Sequence, residues 1–182
     1  MEKQWPRIKT RQTMNISPWV DIIAREVEFS PHEPAEVYHA VDQLDYLAIV
    51  ALTPDGRLPI VRQYRPAIEA FTWELPAGLV ERDEDPAEGC RRELLEETGY
   101  LTRAIYPLGT AAACTGRLSN RIHSYFLEAG DRIEDFTPEK GLTVELVTPS
   151  QLASMIKSGE FILQLHLGAL LLAELRSFIS LT

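Results

Sequence analysis

The chain has 182 residues, 45% of them hydrophobic, and its 27 acidic against 18 basic side chains leave a formal net charge of −9. This is enough apolar material for one ordinary domain with its own core and a small appendage. With no basic surplus to displace counterions from phosphates, a nucleic-acid partner is not expected.

Cys90 and Cys114 are too few for a disulfide framework and read as free thiols of a reducing compartment. The N-terminal MEKQWPRIKTRQ lacks the apolar core of a signal peptide, so a cytoplasmic location is expected.

In chain order, residues 1–40 are polar, with short alternating pieces at 20–23, 25–29 and 36–40 broken by Pro18, Pro31 and Pro34. These are short strands and turns, too small to bury a core alone, and they predict an N-terminal β-segment (1–43) ahead of a main domain (44–182). Tyr46–Leu52 is a nearly continuous apolar strand, followed by the turn Thr53-Pro54-Asp55-Gly56 and a second strand, Leu58–Tyr64, which together read as a hairpin. Strands are predicted again at 105–112, 121–127 and 144–147. A helix begins near Gln151 and ends at Lys157-Ser158-Gly159, and a last helix spans about 161–177. The apolar run Phe161–Leu172 is interrupted by Gln164 and His166 and falls short of the ~20 residues of a membrane span. It reads as a buried helix, and no membrane partner is expected. Mixed strands with helices on both sides define an α+β fold.

The most specific stretch is GLVERDEDPAEGCRRELLEETGY, Gly78–Tyr100, which carries Glu81, Asp83, Glu84, Asp85, Glu88, Glu93, Glu96 and Glu97. Its second half is a punctuated helix, with Asp85 as N-cap, Pro86 at the first position, Glu88 closing a capping box and Gly99 as the left-handed stop. At about 100° per residue, Ala87, Cys90, Leu94 and Thr98 share the buried face, and Glu93, Glu96 and Glu97 crowd its flank. Like charges at these spacings destabilise a helix by a few tenths of a kcal/mol per pair, and only one of Arg91 and Arg92 can relieve them. Hard oxygen donors without matching His or Cys point to Mg²⁺ or Mn²⁺. The plain alternative is a solvated acidic face.

Gly78, five residues, Glu84, seven residues, then Arg92-Glu93-Leu94-Leu95-Glu96-Glu97-Thr98-Gly99-Tyr100 resembles the Nudix box of the Nudix hydrolases at every fixed position. Tyr100 stands where that family usually carries an aliphatic residue. The segments Ile60–Pro66 and Trp73–Gly78 resemble the approach to the box in the branch that hydrolyses ADP-ribose and other nucleoside diphosphate sugars. The resemblance implies an α/β/α sandwich with a mixed sheet, plus a small N-terminal antiparallel sheet that forms a domain-swapped homodimer.

It also implies Glu93, Glu96 and Glu97 as metal ligands, Arg92 orienting the glutamates, Glu84 nearby, and the Ala77 carbonyl brought to the metal by the Ala77-Gly78 turn. The implied reaction is attack of an activated water on the diphosphate, yielding a nucleoside monophosphate and a sugar phosphate. Related enzymes place a water-activating glutamate in the loop occupied here by Glu139, with Glu145 competing. A proline usual in ADP-ribose pyrophosphatases is absent at Cys114–Arg117, which leaves other diphosphate sugars open.

Arg62 and Arg65 are candidate phosphate donors, and Glu74 is a candidate partner for either. Trp5 and Trp19 are candidate platforms for a nucleobase across a dimer. Histidines 32, 39, 123 and 166 share no spacing with the acidic cluster. Other readings are a ligand sensor without hydrolysis, a pyrophosphohydrolase of nucleoside triphosphates or RNA 5′ ends, and a calcium-binding structural protein; the last would need loop spacing that Asp83-Glu84-Asp85 lacks.

Overall fold

The computed structural model describes residues 5–181. The first four residues of the N-terminal reading lie outside it. The chain forms two compact units, one running to Leu44 and including Ala112–Arg121, the other formed by Asp45–Ala111 and Ile122 onward.

The first unit is an antiparallel meander of β1 (Arg7–Ser17), β2 (Val20–Glu28) and β3 (Glu36–Asp42). Asn15 ties the β1–β2 turn, its Nδ2 donating to Asp21 Oδ1 at 2.8 Å and to the Ser17 carbonyl at 3.0 Å. Strand β1 was not expected from the sequence, because almost every side chain along it is exposed and no alternation marks it. A segment distant in sequence joins β3: the Val41 amide donates to the Arg117 carbonyl at 2.8 Å, and the Ser119 amide donates to the Val41 carbonyl at 3.1 Å. Asn120 Nδ2 adds a bond to the Leu44 carbonyl at 3.0 Å.

The second unit is built on β4 (Tyr46–Leu52). From Leu47 to Ala51 no residue of this strand is more than 1% exposed, so both of its faces are covered. It lies inside a four-stranded sheet ordered β7-β4-β9-β8, with β7 spanning Ala77–Leu79, β8 Tyr100–Ala112 and β9 Arg121–Arg132. It runs antiparallel to β7 and parallel to β9, with Ile49 opposite Tyr125. A second sheet is ordered β10-β5-β6, from β10 (Thr143–Val147), β5 (Leu58–Arg65) and β6 (Ala70–Glu74).

This corrects the expected hairpin. The turn forms, with the Gly56 amide donating to the Thr53 carbonyl at 2.8 Å, but β4 and β5 then enter different sheets. A strand buried on both faces takes an interior position, whereas β5 satisfies its backbone with β6 and β10.

Helix α1 (Pro86–Thr98) packs on β4 and β7. Cys90 and Leu94, both fully buried, join Leu47, Ile49, Ala51 and Leu127 in one core cluster. Complete burial of a leucine contributes roughly 1.5–3 kcal/mol, so this contact anchors the helix. Asp85 caps it by accepting from the Ala87 amide at 2.8 Å, and Gly99 ends it at φ 77°, donating to the Leu95 carbonyl at 2.9 Å.

The expected capping box is absent, because Glu88 instead pairs with Arg91 at 3.3 Å. The box forms on α2 (Pro149–Ser158), where Thr148 and Gln151 exchange bonds at 2.7 and 3.2 Å. Helix α3 (Gln164–Leu175) is shorter than expected at both ends and packs on β4. Among the described residues no helix is long and apolar enough to cross a membrane.

Candidate active site

Three elements of the second unit converge on Arg92 of α1. Its Nε and Nη2 grip both oxygens of Glu84 at 2.9 and 3.0 Å, and Nη1 reaches Glu93 Oε1 at 2.7 Å and Glu96 Oε2 at 3.1 Å. Nη2 also donates to the Leu79 carbonyl of β7 at 3.3 Å. One guanidinium therefore relieves three carboxylates, with its five donors in fixed directions. The Arg92 bonds hold the Glu84 carboxyl below the usual carboxylate range, and the same bonds raise the arginine's own pKa.

Glu97 takes a separate path. Only 9% exposed, it turns toward β7 and accepts from the Ala77 amide at 3.0 Å. Burial pushes its pKa up to about 8 despite that bond. Glu93 is also raised by burial, which outweighs Arg92. Gly78 sits directly against it, since a Cβ at that position would meet Glu93 Oε1 at 1.9 Å. Gly89 likewise leaves room for Glu84, whose Oε2 would lie 2.8 Å from an added Cβ.

Among the described residues no group of three His, Cys, Asp or Glu side chains is already arranged as a metal cage. The reason is visible: Arg92 draws Glu84, Glu93 and Glu96 to itself while Glu97 is tied to Ala77. Ala77 meets the cluster through its amide. The donor set still fits a hard divalent cation, being carboxylates and backbone oxygen with two carboxyl groups whose burial penalises their charge. Glu93, Glu96 and Glu97, with Glu84 held on the same arginine as the first two, are the residues that could hold one.

Glu97, Ala77, Gly78 and Leu79 open onto a cleft of about 680 Å³, which continues past Arg65, Thr72, Glu74 and His166 to apolar walls at Ile68, Ile162 and Leu163. Arg65 and Glu74 pair inside it. Arg65 Nε and Nη2 meet the two Glu74 oxygens at 2.8 and 2.5 Å, and Thr72 Oγ1 adds a bond at 2.6 Å. Glu74 is 1% exposed. Burial raises its pKa, but the Arg65 and Thr72 bonds prevail and leave it below the usual range.

Arg62 lies on the exposed side of β5, its guanidinium 4.7 Å from the Phe71 ring centroid and 6.0 Å from that of Trp73. Trp19 is 67% exposed in the N-terminal unit. Glu139 is exposed in the loop between β9 and β10, its carbonyl accepting from the Leu142 amide at 3.0 Å, and Glu145 is exposed on β10 opposite Ile60. His166, whose position shares no sequence spacing with the acidic cluster, is 2% exposed and lines the cleft.

A NUDIX domain matches residues 42–164, and the chain belongs to that family. Within it, the chain is similar to ADP-ribose pyrophosphatases: 28% identical over 116 residues to one from Bacillus subtilis, covering 64% of this chain and 62% of that protein. A Mycobacterium tuberculosis ADP-ribose pyrophosphatase is 28% identical over 135 residues, covering 72% and 65% of the respective chains. The methanol dehydrogenase activator of Bacillus methanolicus is 38% identical over 79 residues, 43% of either chain. The chain thus spans less than two thirds of the length of these relatives. A crystal structure of an ADP compounds hydrolase superposes with a TM-score of 0.79 at 19% identity, covering 98% of this chain and 96% of that one, which supports the α+β Nudix fold.

Proposed function

We propose that this protein hydrolyses the diphosphate linkage of ADP-ribose or a related nucleoside diphosphate sugar, releasing a nucleoside monophosphate and a sugar phosphate. The carrying observation is that Glu97, tied to Ala77, lies where the Arg92-centred cluster of glutamates meets the cleft.

A cleft with apolar walls and a few fixed polar groups suits a nucleoside, and its acidic end suits a diphosphate only together with a cation. Bound to Glu93, Glu96 and Glu97, Mg²⁺ or Mn²⁺ would neutralise phosphate charge and make a water more acidic. Arg92 keeps Glu84, Glu93 and Glu96 from splaying apart. Glu139, on its exposed loop, would take the proton as the water oxygen bonds to phosphorus and the bridging P–O bond breaks. Arg65 and Glu74 would shape the cleft as a neutral pair.

Homodimerisation through the N-terminal sheet is part of this reading, supported by Ile16, Trp19 and Val37, each more than half exposed there. Trp19 would face a partner's nucleotide, and Arg62 would lie outside the cleft. A reducing cytoplasm suits the free thiols of Cys90 and Cys114.

The test is product release from ADP-ribose, GDP-mannose, UDP-glucose, a nucleoside triphosphate and triphosphorylated RNA, with Mg²⁺ and with EDTA. Metal-dependent cleavage confined to diphosphate sugars is expected. Tight binding without cleavage of any would replace the enzyme with a sensor.

A further inference from the structure

His166 is held in one protonation form by the backbone of β6's exit. Its Nδ1 lies 2.9 Å from the Leu75 amide, and an amide N–H requires an unprotonated ring nitrogen, which places the imidazole proton on Nε2. Burial holds the ring's pKa down to about 4, so this neutral form persists at physiological pH.

Among the described residues Nε2 has no hydrogen-bond partner, although the ring borders the cleft. The nearby Glu74 is already engaged: Oε1 by Arg65 and Thr72, Oε2 by Arg65. Nε2 is not among the buried unpaired side-chain atoms, so it meets the open cleft, and a donor fixed in direction and facing a ligand cleft is a usual way of choosing among ligands.

We propose that the Nε2–H of His166 is a specificity-determining donor that takes a neutral acceptor, a hydroxyl or ring nitrogen, of the nucleoside diphosphate sugar held in the cleft. This rests on the preceding reading of the cleft as the substrate site. A phosphate is the wrong occupant for this spot. Arg65 is neutralised by Glu74, His166 itself carries no charge, and Glu97 contributes a carboxyl to the same cleft. The apolar Ile162 and Leu163 beside His166 favour an uncharged group.

The closing experiment uses the full chain and two replacements. In His166→Asn the amide oxygen can still accept from the Leu75 N–H, but nothing reaches the Nε2 position; His166→Gln can place an N–H near that position. With ADP-ribose and Mg²⁺, KM should rise about tenfold in His166→Asn, with a smaller change in kcat, and should partly recover in His166→Gln. Inhibition by inorganic pyrophosphate, which has no neutral acceptor, should be unaffected.

In parallel, the ring nitrogens of wild-type protein are followed by ¹H–¹⁵N NMR while a non-hydrolysable analogue of ADP-ribose is added with Mg²⁺. An Nε2-bound proton whose resonance shifts on saturation is expected. An Nδ1–H tautomer, an Nε2–H unmoved while other cleft resonances shift, or a wild-type KM in His166→Asn would each overturn the donor role. If the asparagine variant fails to fold, the NMR result decides. Absence of both hydrolysis and binding of any diphosphate sugar by the wild type would overturn the substrate reading itself, and the donor role with it.

Discussion

Glu93 and Gly78 compete for one volume: the Glu93 carboxylate lies so close to the Gly78 Cα that a Cβ there would stand 1.9 Å from Oε1. Glu93 is the end of a flexible side chain and can swing away, so Gly78→Ala should fold with little loss of thermal stability. The displaced carboxylate would no longer stand beside Arg92 Nη1. Turnover should fall at least tenfold, and a variant with normal kcat and KM would show that this position of Glu93 is immaterial.

Glu97→Gln removes the carboxylate that a bound cation would draw on, with almost no change of shape, and leaves an oxygen for the Ala77 amide. Turnover is expected to drop at least a hundredfold with the circular dichroism spectrum unchanged. Normal turnover would rule out Glu97 as a ligand.

Arg92 gathers Glu84, Glu93 and Glu96 and touches the Leu79 carbonyl. Lysine carries the charge but cannot satisfy four acceptors in one plane. Arg92→Lys should therefore weaken Mg²⁺ affinity by about 10–100-fold, read as a rise in the Mg²⁺ concentration giving half-maximal rate.

Arg65 is the charged partner of a carboxylate that is 1% exposed. Arg65→Met would strand Glu74 and should cost about 2–3 kcal/mol in urea unfolding, below the 3–5 of a fully buried pair because Arg65 is itself 43% exposed. Replacing both, as Arg65→Met with Glu74→Leu, should recover most of that loss.

His166 supplies a pH signature. Its pKa is near 6.5 unfolded and held by burial to about 4 in the fold, so the unfolded chain takes up the proton first as pH falls. The contribution of His166 declines from pH 6.5 to pH 4, against the opposite slope of Glu97, which stabilises the fold more as pH falls through about 8. The readout is therefore the difference between wild type and His166→Asn in thermal melts, which should shrink across that range. Glu74, whose pKa is below the usual range beside Arg65, loses its own contribution only at lower pH.

The glutamates of the box were legible because helical spacing leaves little freedom: Cys90 and Leu94 must face the core, and Glu93 and Glu97 then follow. Gly99 was legible because few other residues accept its φ of 77°. Strand β1 was not, since exposed pairing with β2 imposes no apolar period. The β4–β5 hairpin misled because turn chemistry governs four residues and leaves sheet membership to burial. Glu88 left the cap for Arg91, a choice between two local bonds that sequence does not rank. The role of His166 depends on an amide 91 positions earlier, a pairing with no sequence signal.

The clasp between β3 and residues 117–120 means that the N-terminal sheet is not a detachable leader. Cutting the chain after Leu44 would strip the Arg117 carbonyl and the Ser119 and Asn120 donors of their partners at Val41 and Leu44. The remaining fragment would carry an orphaned finger of the part removed, rooted between β8 and β9. A smaller version of this protein has to shorten that finger as well, joining Ala111 to Ile122 by a new turn.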